Sequence, residues 1–294
     1  ELSMKDFVRS SSQSDIDPSL YLPHFIVIGA MKSGTTTLYR YCASHPDIDM
    51  SRDKETDFFL ETHSKGRALR WYSNQFSRGD AVRGEASPNY SKSRDFPGVP
   101  ERMASTLPDA RLIYILRDPL IRAEAQFRHS VLHGALSQGL DGFGDSHEYQ
   151  HILDTSRYAL QLSRYWEHFP KDAVLLLDFD ELVRDPQAVM DRVFRHVGVR
   201  PHRIETSRNM NNSAHLSRVP APVLAFAQSR TGKMLSGFAG REVRDVLRAA
   251  MAFRRPRSVP TFPDDLKRRF KDDLAIDVAR LRQMTGYAFS GWSI

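Results

Sequence analysis

The sequence has only one cysteine, Cys42, among its 294 residues. A lone thiol excludes an internal disulfide and any metal site built on several cysteines. It suits a reducing compartment, so the cytoplasm is the expected setting. No apolar run approaches the roughly 20 residues that span a bilayer, so no membrane span is expected. The first residues lack the apolar core of a signal peptide. The chain opens at Glu1 rather than Met, which leaves room for an upstream segment. Acidic residues are the minority charge, with 36 Asp and Glu against 42 Lys and Arg, a formal net charge of +6. That excess suits an anionic ligand. It is spread along the chain rather than gathered in a tail, so no nucleic-acid partner is expected. No internal repeat is present, and the oligomeric state is left open.

What the sequence does contain has a clear order. Residues 1–20 are polar, with Ser10, Ser11, Ser12 and Ser14 close together, and read as an arm or linker. Residues 21–294 then read as one domain with a single large core. Phe25, Ile26, Val27 and Ile28 form a short apolar run that stops at Gly29. A helical segment over 35–43 follows and ends before His45 and Pro46. A second apolar run covers 111–116, is cut off by Arg117, Asp118 and Pro119, and leads into a helical stretch over 121–133. A third, 173–177, precedes a helical 185–197. Strands that are apolar throughout and alternate with helices predict an α/β fold, a parallel sheet flanked by helices on both faces. Ligands of such sheets bind beyond the carboxyl ends of the strands, where Gly29 and Arg117 fall. Residues 135–149 and the basic stretch 208–263 read as loops and short helices around an opening. The segment 264–284 reads as a helix whose apolar stripe, Leu266, Phe270, Leu274, Val278 and Leu281, packs inward. A turn at Gly286 and Trp292 follow it.

Gly29, Ala30, Met31, Lys32, Ser33, Gly34, Thr35, Thr36 and Thr37 sit where a strand hands over to a helix. Backbone N–H groups and the positive end of the helix can converge there on an anion. Lys32 adds a point charge, and the hydroxyls of Ser33, Thr35, Thr36 and Thr37 can hold phosphate oxygens. A nucleoside-triphosphate loop has Gly, four residues, then Gly-Lys-Ser/Thr. Gly29 and Gly34 keep that separation, but Thr35 stands where the lysine belongs. A lysine before the second glycine suits a shorter phosphate chain.

The stretch Lys32-Ser33-Gly34-Thr35-Thr36 resembles the 5′-phosphosulfate loop of sulfotransferases that use 3′-phosphoadenosine 5′-phosphosulfate (PAPS). Arg117-Asp118-Pro119, with Arg122-Ala123, resembles the family's turn that grips the 3′-phosphate. Ser156-Arg157-Tyr158 through Arg164-Tyr165-Trp166 and Phe169-Pro170 is similar to its central helix. Met284-Thr285-Gly286-Tyr287 with Trp292 resembles the end of the heparan sulfate sulfotransferase branch. The resemblance implies a fold like that of P-loop nucleoside kinases. It also implies PAPS as donor, adenosine 3′,5′-bisphosphate as product, and no metal. It assigns cofactor contacts to Lys32, Ser33, Gly34, Thr35, Thr36, Thr37, Arg117 and Arg122, with a brace for the turn as the alternative role of Arg122, and with Arg218 and Lys233 as further candidates from the basic stretch.

For catalysis the resemblance implies Lys32 at the bridging oxygen and Glu55 as base. Glu55 lies in Lys54-Glu55-Thr56-Asp57-Phe58-Phe59, beside aromatic rings expected to desolvate its carboxylate and raise its pKa. Lys54 is a further cation near the sulfate. Two positions depart from the family pattern. Ala86 replaces an expected lysine after Glu85, with Arg83 and Lys92 as replacements. Ala125 replaces an expected serine, with Ser130 onward on the same helix. Glu85, His129 and His133 are the candidate acceptor contacts. The i, i+4 spacing of the two histidines lacks the companions of a zinc site. Tyr158 and Trp166 either stack near adenine or pack the core.

The expected acceptor is a glycan, a carrier-bound group or a small metabolite, modified at a hydroxyl or an amine. Two other readings stay open from the residues alone: a small-molecule kinase, and a nucleotide- or polyanion-binding module without catalysis.

Overall fold

A computed structural model describes residues 19–60, 68–77, 79–132, 140, 142–205 and 261–294. Most of the polar arm, His133, and the basic stretch with Arg218 and Lys233 lie outside the described residues. Five strands form one sheet: β1 (Phe25–Gly29), β2 (Ile48–Met50), β3 (Val82–Ala86), β4 (Arg111–Leu116) and β5 (Val174–Asp178). Their order is β2-β3-β1-β4-β5, and every neighbouring pair is parallel. The chain leaves β1 toward β2 on one side and later places β4 on the other. The carboxyl end of β1 is therefore the point where ligands of such sheets bind.

Around the sheet lie α1 (Thr35–Ala43), α2 (Leu69–Ser73), α3 (Val99–Thr106), α4 (Pro119–Leu132), α5 (His147–Ser156), α6 (Tyr158–Trp166), α7 (Phe179–Arg184), α8 (Pro186–Val197) and α9 (Asp264–Thr285). Alternate residues of β1 and β4 face opposite layers, as the two-residue period of a strand requires. Ile26, Ile28, Leu112 and Tyr114 join one core with α3, α6 and the end of α9. Phe25, Val27, Ile113 and Ile115 join a second core with α1 and α8. A third cluster packs α4, α5 and the start of α9 around Phe127, Phe143 and Phe270. The stripe on α9 thus divides between the sheet and the α4–α5 layer. Cys42 is fully buried among the apolar side chains behind α1.

Capping fixes where helices begin. The Asp118 carboxylate accepts from Leu120 N at 2.9 Å and Ile121 N at 3.0 Å, and Pro119 occupies the first position of α4. Asp185 caps α8 by accepting from Ala188 N at 3.1 Å. Asp277 of α9 accepts from Ala159 N at 2.9 Å and Leu160 N at 3.0 Å, tying the start of α6 to α9.

Candidate active site

The turn between β1 and α1 is built around its two glycines. Gly34, at φ 94°, precedes α1 as its N-cap, and no side chain caps the helix. A Cβ there would meet the Phe179 ring at 2.8 Å. A Cβ at Gly29 would lie 2.0 Å from Ser91 Oγ. Glycine lets the backbone pass both places. Lys32 itself holds a left-handed φ of 67°, a conformation that side chains other than Gly adopt only when their surroundings impose it. No acidic residue lies in the first turn of α1, whose leading N–H groups have no acceptor within the helix. Ser33 Oγ is buried beside the Tyr158 hydroxyl and, among the described residues, has no partner at full hydrogen-bond geometry. Tyr158 spends its own proton on Arg117 O at 2.9 Å. An uncapped helix end, an orphaned hydroxyl and a lysine in one turn fit a bound phosphate group.

Burial pushes the Lys32 ammonium down to about 8, and the charges of Lys54 and Lys92 add to the effect while Glu55 opposes it. Lys32 is thus within electrostatic reach of Glu55, Lys54 and Lys92. The structure brings these four residues together from three separate segments. Glu55 rides on the segment after β2. Tyr39 of α1 donates to Ser51 O at 2.5 Å, and Ser51 N donates to Gly84 O at 2.9 Å, which pins that segment beside the sheet. Phe58 and Phe59 are buried, and Phe58 stacks on Tyr72 at 4.2 Å. Glu55 does not share their burial. Its side chain is 47% exposed and pairs with Lys54 at 2.5 Å. The desolvation expected of Glu55 is therefore absent, because the rings point into the core and the carboxylate lies at the surface.

That desolvation falls on Glu85 instead. Glu85 is fully buried at the carboxyl end of β3. It accepts from Tyr72 OH at 2.7 Å, Tyr90 OH at 2.9 Å, Ser87 Oγ at 3.3 Å and the Thr56 hydroxyl. Burial raises its pKa to about 7 against the pull of these donors. The carboxylate clamps the Glu55 segment, through Thr56, to β3 and α2. Thr56, Tyr72 and Tyr90 were not singled out from the sequence. Only Glu85 itself stood out there, and hydroxyl partners scattered over 35 positions give no local pattern.

On the β4 side, Arg117 Nη1 donates to Lys32 O at 3.3 Å, and its guanidinium lies 4.6 Å from the centre of the Phe179 ring. It is half-buried beside the phosphate turn. Arg122 is fully buried. Its guanidinium donates to Ser156 Oγ at 2.8 Å, Ile152 O at 2.6 Å, Met31 O at 3.5 Å and the Gln126 side chain. It ties α4 and α5 to the phosphate turn. Ser130 Oγ donates to Glu148 at 2.7 Å, which links α4 to α5. His129 lies in the last turn of α4, half-buried. Tyr158 is fully buried against Tyr114 and Trp292, a core position. Trp166 lies under Lys171, at 4.9 Å. Among the described residues, no group of three or more His, Cys, Asp or Glu side chains could hold a metal ion.

A family model described as a sulfotransferase domain matches residues 22–220, a span that includes the phosphate turn, Glu55, Glu85, Arg117 and Arg122. The chain belongs to the sulfotransferase family. This sulfotransferase chain is similar to a human bifunctional heparan sulfate N-deacetylase/N-sulfotransferase 3, with 32% identity over 62% of this chain and 23% of the relative. It is also similar to a mouse heparan sulfate glucosamine 3-O-sulfotransferase 3B1, with 28% identity over 62% of this chain and 47% of the relative. The chain therefore spans about a quarter of the first relative's length and about half of the second's. Its fold matches a sulfotransferase from Alicyclobacillus acidocaldarius with a TM-score of 0.66 and 23% identity, over 92% of this chain and 99% of that one. The sulfotransferase fold expected from the sequence is the fold observed.

Proposed function

We propose that the chain transfers a sulfuryl group from PAPS to a hydroxyl or amine. One observation carries the reading: a lysine with a penalised charge, an uncapped helix end and a buried hydroxyl without a partner share one turn. These three features are what a phosphate group joined to a leaving sulfate requires. Bound there, PAPS supplies a sulfuryl group already activated by its mixed anhydride. In this reading Lys32 would neutralise the bridging oxygen as that oxygen becomes anionic. Ser33, Gly34, Thr35, Thr36 and Thr37 offer amides and hydroxyls to the phosphate oxygens. Arg117, placed beside the same turn, serves the 3′-phosphate, while Arg122 holds the turn in place from beneath. Glu55, half-exposed beside Lys54, accepts the acceptor's proton.

The absence of a lysine after Gly34 supports this reading over a kinase. The test is calorimetric titration with adenosine 3′,5′-bisphosphate in EDTA, followed by transfer of labelled sulfate from PAPS. Binding without Mg²⁺, lost in Lys32→Ala, and transfer that falls at least about 100-fold in Glu55→Gln are expected. Binding that requires Mg²⁺ would favour the kinase. Binding without transfer to any acceptor would favour the inert module, and full activity in Glu55→Gln would remove Glu55 from its role.

We propose a glycan or a small or carrier-bound metabolite as acceptor. The heparan sulfate named for the relatives supports the glycan. Screening acceptors for the mass of one added sulfuryl group separates them. The single cysteine supports cytoplasmic action, which cell fractionation tests.

A further inference from the structure

A second lysine beside the phosphate turn makes no direct ion pair among the described residues. Lys92 directly follows the short 3₁₀ helix Pro88–Ser91, and its neighbour Ser91 packs against Gly29, the first residue of the turn. Lys92 is only 5% exposed, yet among the described residues its ammonium makes no hydrogen bond or ion pair. The carboxylates within electrostatic reach, Asp95, Asp57 and Glu55, favour its charge from a distance and make their direct contacts with other groups. Asp95 accepts from the His151 ring and lies 3.6 Å from His147. Asp57 accepts from Asn89 Nδ2 at 3.0 Å, and Glu55 pairs with Lys54.

An uncompensated ammonium in a buried position is costly, and such a group persists where an anion completes it. Lys92 and Lys32 lie in each other's field at one edge of a cradle for anions. Burial holds both at about 8. One phosphate in the turn occupies the amides, the Ser33 hydroxyl and Lys32. The charges that act on Lys92 are, in falling order, Arg122, Asp95, Asp57 and Glu55, and Lys92 in turn acts on Lys32. It lies between the α4–α5 side of the phosphate turn and the Glu55 segment.

Lys54 is paired with Glu55 at 2.5 Å, and the two other sources for this charge fail on position. Ala86 is fully buried in the apolar core behind α1. Arg83 donates to Leu22 O at 2.8 Å and Gly79 O at 3.0 Å, away from the carboxyl end of β3. We propose that Lys92 is the residue that holds the oxygens of the transferred sulfuryl group, doing so from a loop where Ala86 offers no charge. The proposal rests on the sulfuryl-transfer reading above. In the step it serves, the bond from sulfur to the bridging oxygen breaks and a bond from sulfur to the acceptor oxygen or nitrogen forms. The acceptor's proton goes to Glu55. Lys92 stays protonated throughout and gives up nothing.

The test compares two ligands that differ only in the sulfuryl group. Lys92→Met and Lys92→Arg are measured for affinity toward adenosine 3′,5′-bisphosphate, affinity toward PAPS without acceptor, turnover, and melting temperature. Lys92→Met is expected to keep its bisphosphate affinity within about twofold while PAPS affinity drops and turnover falls about 100-fold. Lys92→Arg is expected to keep part of that turnover, and the melting temperature of Lys92→Met is expected to hold or rise, because a buried charge has gone. Equal losses for both ligands would make Lys92 a phosphate contact and overturn the proposal. So would unchanged turnover, or a fall in turnover matched by a fall in melting temperature. If the wild type binds PAPS but transfers nothing, the sulfuryl-transfer reading fails alone. The ratio of PAPS to bisphosphate affinity in Lys92→Met then still decides for or against Lys92.

Discussion

Replacing Glu85 by glutamine keeps the shape of the side chain and removes a buried charge, so its effect on stability is written in pH. The Glu85 carboxylate is fully buried, and burial lifts its pKa from 4.5 to about 7. Between those values the folded protein keeps a proton on Glu85 that the unfolded chain releases. The unfolded state then binds fewer protons, so stability falls as pH rises through this window and levels off above about 7. At about 1.4 kcal/mol per unit, the whole fall is roughly 3 kcal/mol. His24, His151 and His196 have lowered pKa values from burial and titrate in an overlapping range with the opposite sign. The difference between wild type and Glu85→Gln cancels them. Urea unfolding at pH 5, 6, 7 and 8 is expected to show Glu85→Gln gaining on the wild type by about 3 kcal/mol between pH 5 and 8. Parallel stability curves would refute the reasoning, because they would mean that the carboxylate is ionised in both states or in neither. Glu85→Ala is expected to be worse than either, since it strands the hydroxyls of Tyr72, Tyr90 and Thr56.

Three further outcomes follow from the same geometry. Gly34→Ala puts a Cβ 2.8 Å from the Phe179 ring at φ 94°, and is expected to lower both melting temperature and bisphosphate affinity, the first by about 1–2 kcal/mol in stability; an unchanged affinity in calorimetry would show that the turn does not form the site. Arg122→Met strands Ile152 O and Met31 O and is expected to cost about 3 kcal/mol in chemical denaturation; lost bisphosphate affinity at unchanged stability would instead make Arg122 a direct cofactor contact. Bisphosphate affinity is expected to fall about tenfold per unit as pH rises above about 8, because the anion favours the charged form of Lys32, and the slope should vanish in any Lys32→Ala binding that survives.

The parts of the fold legible in the sequence are those where local pattern and tertiary role agree. The segment 35–43 is the helix α1 to the residue, and 111–116 is the strand β4. Predicted 121–133 begins two residues late, because Pro119 supplies the first turn once Asp118 caps it. The strand β3 was not legible. Its residues, Val82, Arg83, Gly84, Glu85 and Ala86, form no apolar run, yet Glu85 is as buried as the core beside it. Hydroxyl partners from distant segments make that possible, and Gly84 leaves room for the Phe25 ring, which a Cβ would meet at 2.1 Å. The strand β2 is only three residues long, too short for periodicity to register. The helix α5 begins inside a stretch that reads as loops and short helices and runs beyond it, since its apolar residues Tyr149, Ile152 and Leu153 pack against α9, more than a hundred positions away. In the site, Lys32 and its turn were legible because strand, glycine, lysine and helix are contiguous. Arg122 looked like a ligand contact, and only the packing of α4 on α5 shows where its donors go.

The charges of this site are set against the stability of the protein that carries them. Lys32, Lys92, Arg117 and Arg122 all have their charged forms disfavoured first by burial. The acidic side chains nearby relieve them only in part: Glu55 favours the charged Lys32, and Asp95, Asp57 and Glu55 the charged Lys92, while Asp118 caps α4 and Glu85 faces hydroxyls. Arg122 is reconciled by carbonyl, hydroxyl and amide oxygens. Among the described residues Lys32 and Lys92 have no such ring of acceptors, and each remains a source of positive potential beside the phosphate turn. A fold tolerates two such groups when a ligand with matching charge returns the lost energy on binding. The same arrangement aids catalysis, because cations already desolvated and held in place need no reorganisation when charge moves onto the bridging oxygen. Ligand at 100 times its dissociation constant stabilises a folded state by about 2.7 kcal/mol. For this chain part of that gain would come from neutralising Lys32, so the rise in melting temperature with adenosine 3′,5′-bisphosphate should shrink in Lys32→Met more than the loss of one hydrogen bond accounts for.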